Sequence, residues 1–158
     1  MADDIDRVWE LIQHFSICMM STWNGRELRV RPMAANTDRG SNEICFLTDT
    51  RWHADDEIKR YPQLALAFAD IGDQKYVAVS GRGAISNDRG RIKELFSVAA
   101  KAWWDSSDDP NIRLLTVTPD GAEYWDGRGK VATMISMTVA AATGTRPNIG
   151  KNEKVSMT

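Results

Sequence analysis

From Glu43 to Pro62 the chain reads E-I-C-F-L-T-D-T-R-W-H-A-D-D-E-I-K-R-Y-P, an apolar strand that breaks into a polar turn and runs directly into a short helix. Pro62 disfavours the helical conformation for the residue before it, so the helix is predicted from about Ala54 and stops at Tyr61. A strand that meets a helix start this abruptly leaves backbone N–H groups unpartnered beside the positive end of the helix dipole, a place suited to an anion. The turn offers matching side chains: the hydroxyls of Thr48 and Thr50, the guanidinium of Arg51 and the imidazole of His53. Asp55, Asp56 and Glu57 crowd the first helical turn, where they favour the dipole but would repel a phosphate if aimed at the same spot. A solvated, well-capped helix start is the plainer alternative.

The segments around this stretch predict mostly antiparallel strands. Asp3 to Phe15 spaces Ile5, Val8, Trp9, Leu11, Ile12 and Phe15 as an amphipathic helix. Ser16 to Trp23 reads as a strand that ends at Asn24-Gly25, a strong hairpin signal, and Leu28 to Ala35 is expected to return beside it. That return strand carries Arg29, Arg31, Pro32 and Met33. Proline belongs there only at an edge or an interruption of the ladder, which frees the backbone to meet something else; a plain edge strand with solvated arginines is the alternative.

Further on, Leu64 opens a continuous apolar strand, and Lys75 to Ser86 predicts a long one with Val77, Val79, Gly81, Gly83 and Ile85 on one face. Asp88 to Trp104 predicts one amphipathic helix. Ile112 to Thr118 predicts a strand, with a turn at Pro119-Asp120-Gly121 and a return strand over Ala122 to Trp125. Gly129 to Ala142 is assigned to helix for its length and alanines, and residues 146–158 to an extended tail following a single domain over 1–145. Helices inserted irregularly among many strands predict a mainly β, α+β chain, an antiparallel barrel with peripheral helices, rather than a doubly wound parallel sheet.

Composition narrows the function. A net charge of −2 and no long basic block argue against nucleic acid, and the lack of an eighteen-residue apolar run argues against a membrane span. The acidic start does not resemble a secretory signal, so a cytoplasmic protein with buried reduced Cys18 and Cys45 is expected. Two histidines, His14 and His53, are too few for a histidine-rich metal site, and neither G-x-G-x-x-G nor a P-loop is present. Trp52, Trp103, Trp104 and Trp125 fall at element ends, where a large ring either plugs a barrel or covers a flat ligand.

The order and spacing of several motifs resemble the general stress protein 26 branch of the pyridoxamine 5'-phosphate oxidase-like split-barrel flavoproteins. They are V-W-E-L-I from Val8, V-R-P-M-A from Val30, F-L-T-D-T-R-W-H from Phe46, Y-V-A-V-S-G from Tyr76, K-A-W-W from Lys101, A-E-Y-W-D from Ala122 and G-K-N-E-K-V from Gly150. The resemblance implies a split β-barrel homodimer with flavin mononucleotide (FMN) in two interface clefts. It places Arg31, Pro32 and Met33 along the isoalloxazine, the turn from Thr48 to Ala54 at the phosphate, and Trp103 and Trp125 in the cleft wall. A half-open barrel also leaves an apolar sheet face for a symmetric partner to cover. Two departures stand out. Ala54 replaces the family's usual lysine, and the closing arginine–histidine pattern of the true oxidase is absent, so vitamin B6 oxidation is not expected. The expected activity is flavin-dependent oxidoreduction; the alternatives are a non-catalytic flavin-binding stress protein or a barrel dimer whose flavin site has decayed.

Overall fold

The structure, a computed structural model, describes residues 2–158 and is built around one curled antiparallel sheet of eight strands. In chain order the elements are α1 (Ala2–Ile12), β1 (Ile17–Trp23), β2 (Leu28–Ala34), β3 (Asn36–Asp38), β4 (Glu43–Asp49), α2 (Ala54–Arg60), β5 (Gln63–Asp70), β6 (Lys75–Ser86), α3 (Arg89–Leu95), β7 (Ile112–Gly127), α4 (Lys130–Thr143) and β8 (Gly150–Ser156). The strands neighbour one another in the order β2-β1-β5-β6-β7-β4-β3, with β8 added along β7. The split-barrel architecture expected from the sequence is the one observed.

The Asn24-Gly25 hairpin forms as predicted: the Asn24 side-chain carbonyl accepts from the backbone N–H groups of Arg26 and Glu27, and Gly25 takes the left-handed φ of +92° the turn requires. β2 lies at the sheet's edge and pairs with β1, so Pro32, opposite Met19, sits where a missing N–H is tolerated. The Leu64 strand is half-buried, with Leu64, Leu66 and Phe68 inward and the intervening alanines outward. On β6, Gly83 lies so close to α2 that an added Cβ would stand 2.7 Å from Ile58 Cγ2.

The main core joins α1 (Val8, Trp9, Leu11, Ile12) to inward residues of the sheet, Ile58 of α2, and Val155 and Met157 at the C-terminus. Tyr124 on β7 donates to Asp4 Oδ1 at 2.7 Å and Lys151 on β8 reaches the same oxygen at 2.8 Å, which ties α1 across both strands. A smaller core of Cys45, Ile92, Ala100, Trp104, Ile112 and Leu114 occupies the other side of β4 and β7.

Three expectations change. Pro119-Asp120-Gly121 is no turn, because β6 pairs along β7 on both sides of it; the register shifts at Ser80/Gly81 and Asp120 is the extra residue, a bulge whose carbonyl accepts from Met157 N at 3.0 Å. The chain after 146 is extended but not separate: Gly150–Ser156 is β8, paired with β7 from Gly121 to Gly127. The single helix expected over Asp88 to Trp104 is broken. Phe96 is extended (φ −70°, ψ 112°), and a 3-10 turn follows over Ala99–Ala102. Ile92 before the break and Ala100 after it both enter the small core. α4 forms as assigned.

Candidate flavin cleft

β4 delivers the turn, and its alternation sorts the candidate residues onto different sides. Thr48 shares the inward face of Ile44 and Phe46 and is buried, with its Oγ1 unpartnered. Asp49 points the other way and is fully buried. Its carboxylate accepts from Arg51 N (2.8 Å), Arg51 Nε (2.8 Å), Arg51 Nη2 (2.5 Å) and Trp104 Nε1 (2.8 Å). Chiefly because of the Arg51 side-chain hydrogen bonds, and against the effect of burial, its pKa is held down at about 2. Thr50 is occupied as well, its hydroxyl 3.2 Å from Asn111 Oδ1.

The turn therefore does not gather four side chains on one anion. His53 takes a left-handed φ of 62°, is exposed, and lies 3.6 Å from Asp56. α2 is seven residues long with no side-chain cap, so its dipole adds little. Ala54, where the family carries lysine, is buried. Arg51 is exposed like His53, its side chain 60% open to solvent, and its guanidinium is oriented by Asp49.

The three acids of α2 separate. Asp56 is exposed, Asp55 is buried, and Glu57 turns toward the sheet. There Glu57 accepts from Arg29 Nη1 (2.5 Å), Arg31 Nη2 (3.2 Å) and the Thr22 hydroxyl (3.0 Å), while Arg31 Nη2 also donates to Thr22 Oγ1 (2.6 Å). Burial lowers the pKa of Arg31, with the Glu57 charge opposing that and Arg29 adding to it. Arg31 Nη1 is buried and unpartnered. Thr22 and Glu57 were missed by sequence reasoning; Glu57 was legible only as one of three acids at a helix start. Pro32 is exposed and Met33 half-buried on the same edge strand, whose neighbourhood reaches β4.

The tryptophans divide. Trp52 packs between Trp104 (centroids 5.3 Å apart, 34°) and Trp103 (5.8 Å, 80°) beside Arg51. Trp125 lies elsewhere, on the sheet's outer face opposite Tyr76, and the strand runs roughly 40 Å between Ile112 and Trp125 at the usual rise per residue. Within one subunit Trp125 does not reach the turn. Among the described residues no His/Cys/Asp/Glu group could hold a metal, and no helix is long and apolar enough to cross a membrane.

A family model for pyridoxamine 5'-phosphate oxidase-like proteins matches residues 3–148. The chain belongs to that family. It is also 24% identical to general stress protein 26 of Bacillus subtilis (strain 168) over 94 residues, 57% of this chain and 66% of that relative's length. A solved structure from Jannaschia sp. CCS1, described as a general stress protein 26, is 26% identical, with a TM-score of 0.82 over 99% of both chains. The general stress FMN/FAD binding protein of Xanthomonas citri shares the fold at 20% identity, with a TM-score of 0.68 over 79% of this chain and 89% of that one. The resemblance read from the motifs is thereby met.

Two orphaned polar atoms test whether a flavin fits this cleft. Arg31 Nη1 is a buried donor and Thr48 Oγ1 a buried hydroxyl, and neither has a protein partner. An acceptor-rich ring would satisfy such a donor and hydroxyl, whereas Asp55 Oδ1, also buried and unpartnered, is an acceptor that a phosphate would not satisfy.

Proposed function

We propose that this chain is a flavin-binding split-barrel protein of the general stress type and works as a symmetric homodimer. The observation that carries the reading is the Glu57–Arg31–Thr22 clamp, which holds an arginine on the edge strand with one buried N–H group still unsatisfied. Arg31, Pro32 and Met33 would border the ring, with Thr48 beside the tail and Arg51 on the phosphate. Thr50 and His53 would contribute position rather than direct contact, given their partners in the turn.

The dimer has its own support. Ile17, Met19 and Trp23 of β1 and Leu28 and Val30 of β2 are exposed on the outer sheet face, next to the outward alanines of β5. An apolar face of this kind is commonly covered by a partner. Trp125 would border a cleft only if a partner subunit presented it, since within one subunit it does not reach the turn.

Bound flavin would supply a ring that accepts and returns electron pairs, so the protein's part is position and electrostatics. Flavin-dependent oxidoreduction is the activity this supports; non-catalytic flavin carriage is the second reading. The test is titration of the apoprotein with riboflavin and FMN, followed by flavin fluorescence. Saturable binding of both, weakened by Arg31→Ala, is expected, and no binding of either at high micromolar concentration refutes the proposal. Steady-state reduction of the loaded protein by a nicotinamide cofactor separates the oxidoreductase from the carrier.

A further inference from the structure

α4 turns its small side chains to its own subunit and its large ones away from it. Residues 131–145 contain no charged side chain. The stripe that meets the body is buried Thr133, half-buried Ser136 and buried Ala140, and Thr133 donates to Gln74 Oε1 in the β5–β6 turn. On the opposite side Val131, Met134 and Ile135 are exposed, flanked by Met137 and Val139, and all five are 53–73% open to solvent. The exposed Thr138 and Thr143 donate their hydroxyls to the helix's own carbonyls at Met134 and Val139, which leaves the outer surface largely apolar. A helix whose apolar side points away from its core lacks the partner that side calls for.

A surface of the opposite shape lies on the outward face of the sheet. Ala65, Ala67 and Ala69 of β5, Ala78 and Ser80 of β6 and Gly121 of β7 floor a shallow trough there, with Ala67 paired to Ala78, Ala65 to Ser80 and Ser80 to Gly121. Met19 of β1, opposite Ala67, walls one side. Glu123 and Lys154 rim the other, where the trough forms a groove of about 460 Å³. The alanines are exposed, so the subunit's own α4 does not cover them. Three neighbouring strands span about 10 Å. A helix of 14 residues is about 21 Å long and 10–12 Å across, so one helix fills the width of the trough.

We propose that α4 of each subunit packs across the outward sheet face of its partner in a reciprocal exchange, with Val131, Met134 and Ile135 on the alanine floor. This rests on the homodimer reading above and names the element that makes the contact. A second copy suits the two surfaces better than another occupant. Neither the helix nor the floor carries a charge, so their contact strands none, and large side chains on one meet small ones on the other. The trough also runs into the apolar strip of β1 and β2, so a single partner covers both. Counting both partners' surfaces, two helices on two troughs give a footprint of roughly 900 Å². A specific interface buries about 1,200–2,000 Å² in all, and the β1–β2 strip makes up the difference. A lipid surface is a poorer match, because interfacial helices carry Lys and Arg along a polar face and residues 131–145 have neither.

The experiment measures sedimentation of wild type, Met134→Glu and Ala67→Glu across the micromolar range, with far-UV circular dichroism as the check on folding. A carboxylate on either surface would be buried without a partner, so each variant should raise the dimer dissociation constant by roughly a hundredfold or more. Cross-linking supplies a measurement that needs no disruptive charge. Cys18 and Cys45 are buried, so in the doubly substituted Met134→Cys, Ala67→Cys chain a short bismaleimide should join the two new thiols between chains and give a covalent dimer. A wild-type dimer that both charged variants leave intact, or cross-links confined within one chain, overturns the exchange and leaves the homodimer standing. Wild-type binding to phosphatidylcholine vesicles that Met134→Glu abolishes, with dimerisation unchanged, assigns the helix to lipid and also overturns it. A wild-type monomer overturns the homodimer reading and the exchange with it.

Discussion

Replacing Asp49 with asparagine removes the charge that organises the turn and leaves its shape nearly unchanged. The carboxylate takes four hydrogen bonds, three from Arg51 and one from Trp104 Nε1. Asparagine keeps a single acceptor oxygen, so one pair of donors must face an NH2 group. Arg51 is largely exposed and can turn to water, so its share of the loss is that of a surface pair, about 0–1 kcal/mol. Trp104 is 5% exposed, and its indole N–H would be left dry, at about 1–3 kcal/mol. The expected destabilisation is about 2 kcal/mol, or roughly 4–8 °C in Tm for a chain of this size.

The pH dependence carries a sign. A carboxylate whose folded pKa is depressed contributes stability above its unfolded value and loses it as pH falls through the folded one. For Asp49 that window runs from 3.8 down to about 2. Urea unfolding of wild type and Asp49→Asn, at one protein concentration, should show the full gap at pH 7 and at pH 5, and a narrowed gap at pH 3. Variants within about 0.5 kcal/mol of each other at pH 7, or a gap that acidification leaves untouched, would refute the assignment of Asp49 as the turn's ionised anchor.

Gly83→Ala should destabilise by about 1–3 kcal/mol in the same assay, since its Cβ would press on Ile58, Leu64 and Leu115 at 2.7–3.1 Å; an unchanged urea midpoint contradicts the close approach of α2 to β6. Deleting residues 150–158 removes β8 and the buried Val155 and Met157, at about 1.5–3 kcal/mol for each side chain, and should open the domain to limited proteolysis. Val30→Asp, on the outer sheet face, should shift sedimentation from dimer to monomer, and a wild-type monomer at micromolar concentration would remove the dimer. Cys18, whose thiol burial pushes up to about 12, should resist a thiol reagent at pH 8 until the protein unfolds.

Local chemistry made much of this protein legible from its sequence. The Asn24-Gly25 turn, the end of α2 before Pro62, the limits of β6 and the edge position of Pro32 each depend on backbone preferences of the residues concerned, and those preferences are written in the chain. Motif order was enough for the family. Tertiary structure decided whatever depended on a distant partner. Pro119-Asp120-Gly121 has turn chemistry, yet β6 and β8 supply ladders on both sides, and their hydrogen bonds outweigh it. The residues from 150 onward are mostly polar and become a strand because β7 offers an open edge there. In the turn, the sequence shows an arginine near hydroxyls, but only the fold shows that Asp49 claims Arg51 and Asn111 claims Thr50, while Glu57 of α2 claims Arg31 on β2. Side-chain pairing across a sheet and a helix is a contest among residues far apart in sequence, and burial settles it by making each unpaired polar group costly.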